Sequence, residues 1–240
     1  MQTLRSWHRP VIITLILTLG LSPLAAAQDK KKNKQLTGTP VLWRNPGDVS
    51  MRNLRYGPGS ARLAPREPFT FIEEDKSGES PKFDIRDARG VVWRVKLGPE
   101  AQSETVSTRL VWAVGYFAEE AYYLERARIT GLPRLSRGRD YVEGRETVIG
   151  ARFEPRRKGV ERGPEWDWDK NIFKDTRELN GLKVIMILLN NYDARKANNR
   201  IFYMRRSGIG RMEARYTVSD LGATLGRAGG LGGKRSKNNL

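Results

Sequence analysis

The sequence predicts an α+β fold in which an antiparallel sheet comes first and two helices follow, with further short strands between and after them. Three short segments, 69–74, 83–87 and 91–96, alternate apolar and polar residues between turn-forming residues, which is typical of an antiparallel meander. Two longer segments, about 100–124 and 176–189, carry apolar residues at helical spacing. With 240 residues, 38% of them hydrophobic, the chain can bury the core of such a fold.

The two helices are predicted from spacing and capping. Four residues form the apolar stripe of the first helix: Val106, Leu110, Ala113 and Phe117. The second helix is predicted to begin with a capping box between Asp175 and Glu178 and to stop at Asn190. Between the helices, the pieces 140–142 and 147–153 are predicted to be short strands.

The opening segment predicts a secretory signal peptide. Arg5 and Arg9 precede an apolar run, Val11–Leu21, and Ala25–Ala27 resembles an A-x-A cleavage site. The alternative is an uncleaved anchor, but the interrupted stretch Val11–Ala27 is at the short limit for a membrane span. We therefore expect an exported protein, periplasmic or extracellular, without a transmembrane domain in the mature chain.

Composition excludes several classes of chemistry. The chain has no cysteine, and its one histidine, His8, lies in the predicted signal peptide, so thiol catalysis, Ser-His-Asp triads and nearly all zinc enzymes are excluded. The net charge is +17, and loss of the signal would remove two of the 44 cations and none of the 27 acids, leaving +15. This charge favours anionic partners such as nucleotides, nucleic acid or an acidic envelope surface, although a solvated basic surface is the alternative.

A carboxylate and a carboxamide follow the second helix with the spacing of a phosphoryl-transfer loop. Four residues separate Asp193 from Asn198, and this spacing sets a carboxylate to receive a hydroxyl proton and an amide oxygen to hold Mg²⁺. The alternative is a polar loop that caps the helix. A predicted hairpin, 200–219 with its turn at Gly208–Gly210, then leads to Asp220.

Two charged residues upstream complete the pattern. Lys96 ends the third predicted strand, and Glu104 lies on the less apolar face of the next helix, where the two could form an ion pair. Together with Asp220-Leu221-Gly222 at a strand end, these motifs resemble the protein-kinase-like superfamily, nearest its atypical branch of HipA-like and phosphoinositide-kinase-like folds. The resemblance covers about residues 69–222.

The resemblance implies a two-lobed kinase-like fold with a truncated, mostly helical C-terminal lobe. It also implies that Lys96 contacts the phosphates of ATP, that Glu104 orients Lys96, and that Asp193 acts as the base or positions the acceptor hydroxyl. Asn198 and Asp220 would hold Mg²⁺. The loop implied to cover the phosphates contains Ser77, Gly78 and Ser80. We expect these side chains to converge on one cleft between the strand meander and the second helix.

The implied function is an exported protein that binds Mg²⁺–ATP and transfers the γ-phosphate to a hydroxyl group of a protein or small molecule. Two alternatives remain, a pseudokinase that does not turn over and a secreted basic protein that binds anionic envelope material. The predicted domains are a signal peptide (1–27), a basic tail and linker (28–60), an N-lobe-like sheet and helix (61–164) and a partial C-lobe (165–240) with the catalytic-loop-like and metal-binding segments.

Two further segments admit two interpretations each. The aromatic residues of Trp166–Asp169 could stack on a base or sugar, but a packed aromatic anchor is the favoured interpretation. The arginine-rich stretch Arg152–Arg162 could bind phosphates or acidic polymers, but a solvated face is favoured.

Overall fold

The structure is a computed structural model that describes residues 37–157, 159–206 and 210–226. The predicted signal peptide, part of the predicted turn at 208–210 and the residues after 226 lie outside the described residues. Within the described ranges, strands outnumber α-helices by eleven to two. In chain order the elements are β1 (Thr39–Val41), β2 (Phe69–Asp75), β3 (Lys82–Arg86), β4 (Val92–Lys96), α1 (Glu100–Ala113), β5 (Phe117–Ala118), β6 (Tyr122–Thr130), β7 (Val142–Glu143), β8 (Thr147–Pro155), β9 (Glu161–Arg162), α2 (Arg177–Leu188), β10 (Asn199–Arg205) and β11 (Met212–Val218).

Five strands close into a barrel in the order β4-β3-β2-β6-β8, with β8 returning to pair with β4. All neighbours are antiparallel except β2 and β6, which run parallel. The short strand β7 adds to β8 outside this closed ring. At the β4–β8 seam Lys96 is paired with Arg152, so closure of the barrel brings two cations side by side.

The barrel encloses one hydrophobic core. Alternate residues of each strand point inward, because successive side chains in a strand lie on opposite faces. Phe83 and Ile85 of β3 and Trp93 and Val95 of β4 are therefore buried. Phe153 of β8 contacts Trp93 and Phe69 through tilted and edge-on ring packing. The strand alternation that predicted the meander thus corresponds to this core.

A second sheet contains the five strands that pair with neither the barrel nor β7. Its order is β1-β11-β10-β9, and β5 also pairs with β11. Helix α2 packs on this sheet through Leu182 and Met186, which are fully buried. Trp166 and Trp168 lie in the same core with their rings 4.8 Å apart. The tryptophan segment is therefore a packed anchor.

The prediction of a two-lobed kinase-like fold with a mostly helical C-terminal lobe is wrong. The described residues are mostly β-structure, with a closed five-stranded barrel and only two α-helices. After α2 the chain forms the β10–β11 hairpin, which pairs with β1, β5 and β9, and no further α-helix follows as far as residue 226. No helix within the described ranges is long and apolar enough to cross a membrane.

Both predicted helices have different ends in the structure. Helix α1 stops at Ala113 rather than near residue 124, because Gly115 adopts a φ of 97° and turns the chain into β5. Helix α2 is capped by Thr176, whose side chain accepts a hydrogen bond from the Leu179 amide. The predicted capping box at Asp175 is one residue too early.

Helix α1 buries several polar residues and exposes part of its predicted apolar stripe, although Ala113 of that stripe is buried. Glu104 and Thr108 are almost completely buried, whereas Val106 and Leu110 are exposed. This orientation departs from the usual pattern, in which the apolar stripe of a helix faces the core. The buried Glu104 pairs with two cations of the barrel strands, Lys96 and Arg152.

Candidate functional site

The candidate site is centred on the ammonium group of Lys96, at the end of β4. Its Nζ atom lies 3.0 Å from Glu100 Oε2, 3.1 Å from Glu104 Oε2 and 3.0 Å from Asp220 Oδ1. Three of the residues singled out from the sequence, Lys96, Glu104 and Asp220, therefore meet in direct contact. They come from β4, from α1 and from the segment after β11.

Local structure explains how two of these carboxylates reach Lys96. The chain turns between β4 and α1 at Gly98, which has a φ of 114°, a conformation that glycine adopts without strain. Helix α1 then begins at Glu100, and Glu104 follows one turn later. Residues four apart lie on the same face of a helix, so both carboxylates point back toward the end of β4.

Arg152 extends the cluster across the β4–β8 seam. Its guanidinium is 2.9 Å from Glu104 Oε1 and 2.9 Å from Glu154 Oε2. Glu104 thus gives one carboxylate oxygen to Lys96 and the other to Arg152. Three residues of the cluster belong to barrel strands: Lys96, Arg152 and Glu154. Glu104 belongs to α1, which packs against β8.

The six connected residues contain more negative than positive charge. Lys96 and Arg152 are the two cations, and they face four carboxylates. When all are ionised the cluster carries a formal charge of −2, although the chain as a whole is strongly basic. A divalent cation would offset this excess, and Asp220, whose side chain is 49% exposed, is the carboxylate most open to one.

The pKa values of the cluster follow from burial and from the neighbouring charges. Burial opposes the charge of Lys96, but Glu104 and Asp220 outweigh it and raise the Lys96 pKa. Burial also opposes ionisation of Asp220, yet Lys96 and Arg152 lower the Asp220 pKa below its ordinary value. Complete burial raises the pKa of Glu104 against the effect of Arg152 and Lys96. The Asp220 carboxylate is therefore ionised across the neutral range.

The Asp220 segment is fastened to helix α1 by small residues. Ser103 Oγ donates to the Gly222 carbonyl over 2.7 Å, and the hydroxyls of Ser107 and Thr224 share a hydrogen bond of 2.6 Å. A Cβ atom on Gly222 would lie 2.8 Å from the Cβ atom of Glu100. Glycine at position 222 therefore permits the close approach that brings Asp220 to Lys96.

The loop after α2 lies beside this segment. The Ser219 amide donates to the Asn198 carbonyl over 2.8 Å, which joins the loop to the residue before Asp220. Asn198 Nδ2 donates to the Asp193 backbone carbonyl and to Asp193 Oδ2, which holds the Asn198 side chain against Asp193. The Asp193 carboxylate is also paired with Arg195, whose Nε atom is 3.0 Å from Oδ1.

One residue of the turn that was predicted to cover phosphates contacts the Lys96 cluster. Ser80 Oγ donates to Glu100 Oε2 over 3.3 Å, which places Ser80 one contact away from Lys96. Ser77 instead bonds to Asp75 within its own turn. The Gly78 carbonyl accepts a hydrogen bond from a guanidinium. Of the three residues of the turn, only Ser80 reaches the cluster through described contacts.

Sequence reasoning missed the second cation of the site. Arg152 was included in a stretch expected to be a solvated face, yet it is 5% exposed. The alternation of Thr147–Phe153 was a signal, but it becomes informative only once β8 is paired with β4 so that Arg152 lies opposite Lys96. Glu100 and Glu154 were also missed, since many exposed glutamates share their spacing.

A metal ion at this site would need ligands from outside the protein. Within residues 37–157, 159–206 and 210–226, no group of three or more Asp, Glu, His or Cys side chains is arranged to hold a metal. Asp220 and the Asn198 amide oxygen offer one or two ligands, which suits Mg²⁺ because this ion keeps several waters and takes other ligands from substrate phosphates.

Comparison of the chain with protein-family models, with curated proteins and with solved structures gives no match.

Proposed function

We propose that the Lys96 cluster binds a nucleoside triphosphate, such as ATP, together with Mg²⁺. The observation that carries this proposal is the contact of Lys96 with both Glu104 and Asp220, at 3.1 and 3.0 Å. A buried ammonium held by a buried carboxylate is positioned to meet phosphate oxygens. The adjacent half-exposed carboxylate is positioned to meet the counter-ion of those phosphates.

Charge balance supports binding of the complex rather than of either ion alone. The cluster has an excess of two negative charges, so a free polyphosphate would be repelled by the carboxylates near Lys96. Asp220 would hold a divalent cation, whose charge would offset this repulsion. Lys96 would then be free of Asp220 and could turn to a phosphate oxygen, while Glu104 keeps it in position.

We propose that the reaction, where it occurs, is phosphoryl transfer to a hydroxyl group. The acceptor oxygen forms a bond to the γ-phosphorus, the bond from that phosphorus to the β-γ bridging oxygen breaks, and the nucleoside diphosphate leaves. Asp193 receives the hydroxyl proton. Mg²⁺, when bound by Asp220 and Asn198, neutralises the charge that develops on the phosphate oxygens.

The contacts of the Asp193 carboxylate favour a second candidate function, nucleotide binding without turnover. Arg195 contacts both oxygens of Asp193, and Asn198 also donates to Oδ2. In this arrangement an acceptor hydroxyl would compete with Arg195 and Asn198 for the Asp193 carboxylate. A protein that keeps Arg195 in place would bind Mg²⁺–nucleotide as a structural or regulatory ligand.

Calorimetric titration with a non-hydrolysable ATP analogue tests the proposal. We expect the full chain to bind the analogue only with Mg²⁺ present, and the substitution Asp220→Asn to abolish this binding. Asp169→Asn is the matched control, since Asp169 is an exposed carboxylate paired with Lys183. Magnesium-independent binding that is lost at high salt and unaffected by Asp220→Asn would instead support a general binder of anionic polymers.

A further inference from the structure

A separate cavity of about 420 Å³ lies between the barrel and the second sheet. Its size falls within the range of small-molecule sites in proteins. None of the proposed phosphate and metal contacts, Lys96, Asn198 and Asp220, lines it. The cavity is therefore not the site described above, although Glu154 belongs to both.

The walls of the cavity are largely apolar. Phe117 of β5 contributes an aromatic ring, and Phe202 and Met204 of β10 contribute an aromatic ring and a thioether chain. Val160 and Pro155 add aliphatic surface. Such walls fit the hydrocarbon part of a small ligand.

Two of the four arginines at the cavity make no close ion pair with a described residue. Arg156 and Arg162 both line it, and neither has a carboxylate within 4 Å among the described residues. The two other arginines in the lining are paired, Arg157 with Glu120 and Arg215 with Glu213. Arg156 and Arg162 are both exposed, so their guanidinium groups can meet an anion at the cavity.

Glu119 supplies a polar group inside the apolar lining. Its carboxyl group makes no hydrogen bond or close ion pair with another described residue, although it lines the cavity. Burial, reinforced by the nearby Glu154, raises the pKa of Glu119 to about 8. At neutral pH the group is therefore mostly a carboxylic acid, which donates a hydrogen bond and does not repel an anion.

We infer that this cavity binds a small organic anion with an apolar, preferably aromatic, body and one carboxylate group. The body would lie against Phe117, Phe202 and Met204. The carboxylate would face Arg156 and Arg162, and Glu119 would donate a hydrogen bond to it. This inference is independent of the nucleotide proposal, because it uses neither Mg²⁺ nor phosphate.

Three probes of nearly equal shape test the ligand class by calorimetry on the full chain: 1-naphthoate, 1-naphthalenemethanol and 1-naphthylmethylammonium. We expect naphthoate to bind about tenfold more tightly than the alcohol, the effect of one charge-assisted contact. The ammonium probe should bind most weakly. Equal binding of all three, tighter binding of the ammonium, or no binding of naphthoate would overturn the inference.

Variants locate the binding and separate charge from shape. Arg162→Ala should remove most of the advantage of naphthoate over the alcohol, whereas Arg86→Ala, at an exposed arginine on β3, should leave it unchanged. Met204→Trp, which fills the cavity, should reduce binding of both probes at an unchanged melting temperature. If a folded Met204→Trp variant binds naphthoate as the parent does, the cavity is not the site.

Discussion

The Lys96 ammonium lies 3.0 Å from the carboxylate of Asp220, which follows it by 124 residues in the chain. The same ammonium is held from the other side by Glu104 of α1. A change at Asp220 therefore acts directly on the orientation of Lys96. Lys96 thus links the barrel, helix α1 and the segment after β11.

Asp220→Asn and Asp193→Asn should have different effects on the nucleotide. Asp220 is the proposed charged ligand of Mg²⁺, so its replacement should abolish Mg²⁺-dependent binding of an ATP analogue. Asp193 acts on the acceptor and is engaged by Arg195 and Asn198, so its replacement should leave binding nearly intact and reduce only transfer. Calorimetry and a phosphate-release assay measure the two effects, and equal losses of binding would contradict the assignment of roles.

Glu104→Gln should destabilise the protein strongly. Glu104 is 2% exposed and neutralises Lys96 and Arg152 at once, and removing one partner from buried ion pairs costs about 3 kcal/mol or more. Urea unfolding at neutral pH measures this loss. Glu100→Gln is the control, because Glu100 contacts the same Lys96 but is partly exposed, and its loss should cost no more than about 1 kcal/mol. Similar losses of unfolding free energy in both variants would show that the burial of Glu104 does not determine the cost of removing its charge.

Glu119 should make the protein less stable as the pH rises. Burial and Glu154 raise its pKa to about 8 from 4.5, with a smaller contribution from Glu104 and against the effects of Arg152 and Arg162. Between these values the folded state retains a proton that the unfolded state has released, so the free energy of unfolding falls with increasing pH. Glu119→Gln should remove this fall, and its stability relative to the parent should increase from pH 5 to pH 9. Parallel stability curves for the two proteins would contradict the prediction.

Thr176→Ala and Asp175→Gly distinguish the two possible caps of helix α2. Thr176 accepts a hydrogen bond from the Leu179 amide, so its replacement by alanine should cost about 1 kcal/mol of stability. Asp175 has a φ of 64°, so Asp175→Gly should be neutral or stabilising because it removes backbone strain. Thermal unfolding measures both changes, and the opposite order would indicate that Asp175 is the cap.

The sequence predicted the barrel strands near the site better than the fold that they build. Strands β2 to β4 alternate clearly, and their ends bring Lys96 to the start of α1. Strand β6 was hidden because the apolar stripe of α1 continues to Phe117, past the glycine that ends the helix. Closure of β4 on β8 depends on pairing between distant segments, which local periodicity does not contain, and this closure separates the observed barrel from the predicted two-lobed fold.

The sequence predicted those site residues whose side-chain type and position next to a predicted strand or helix both pointed to a role. Lys96 and Glu104 lie on either side of one turn, so their pairing follows from local geometry. Asp220 was found by its position after a strand. Arg152 could not be found, because its role depends on the register of β8 against β4. The buried polar face of α1 likewise reflects charges supplied by other strands.

The divided contacts of Glu104 have a mechanical consequence. One of its oxygens holds the last residue of β4 and the other holds Arg152 of β8, the two strands whose pairing closes the barrel. Helix α1 therefore links the two strands that close the barrel. Swinging the helix outward would leave two buried cations with fewer counter-charges and strain the seam itself, so α1 and the barrel should move together as one rigid body.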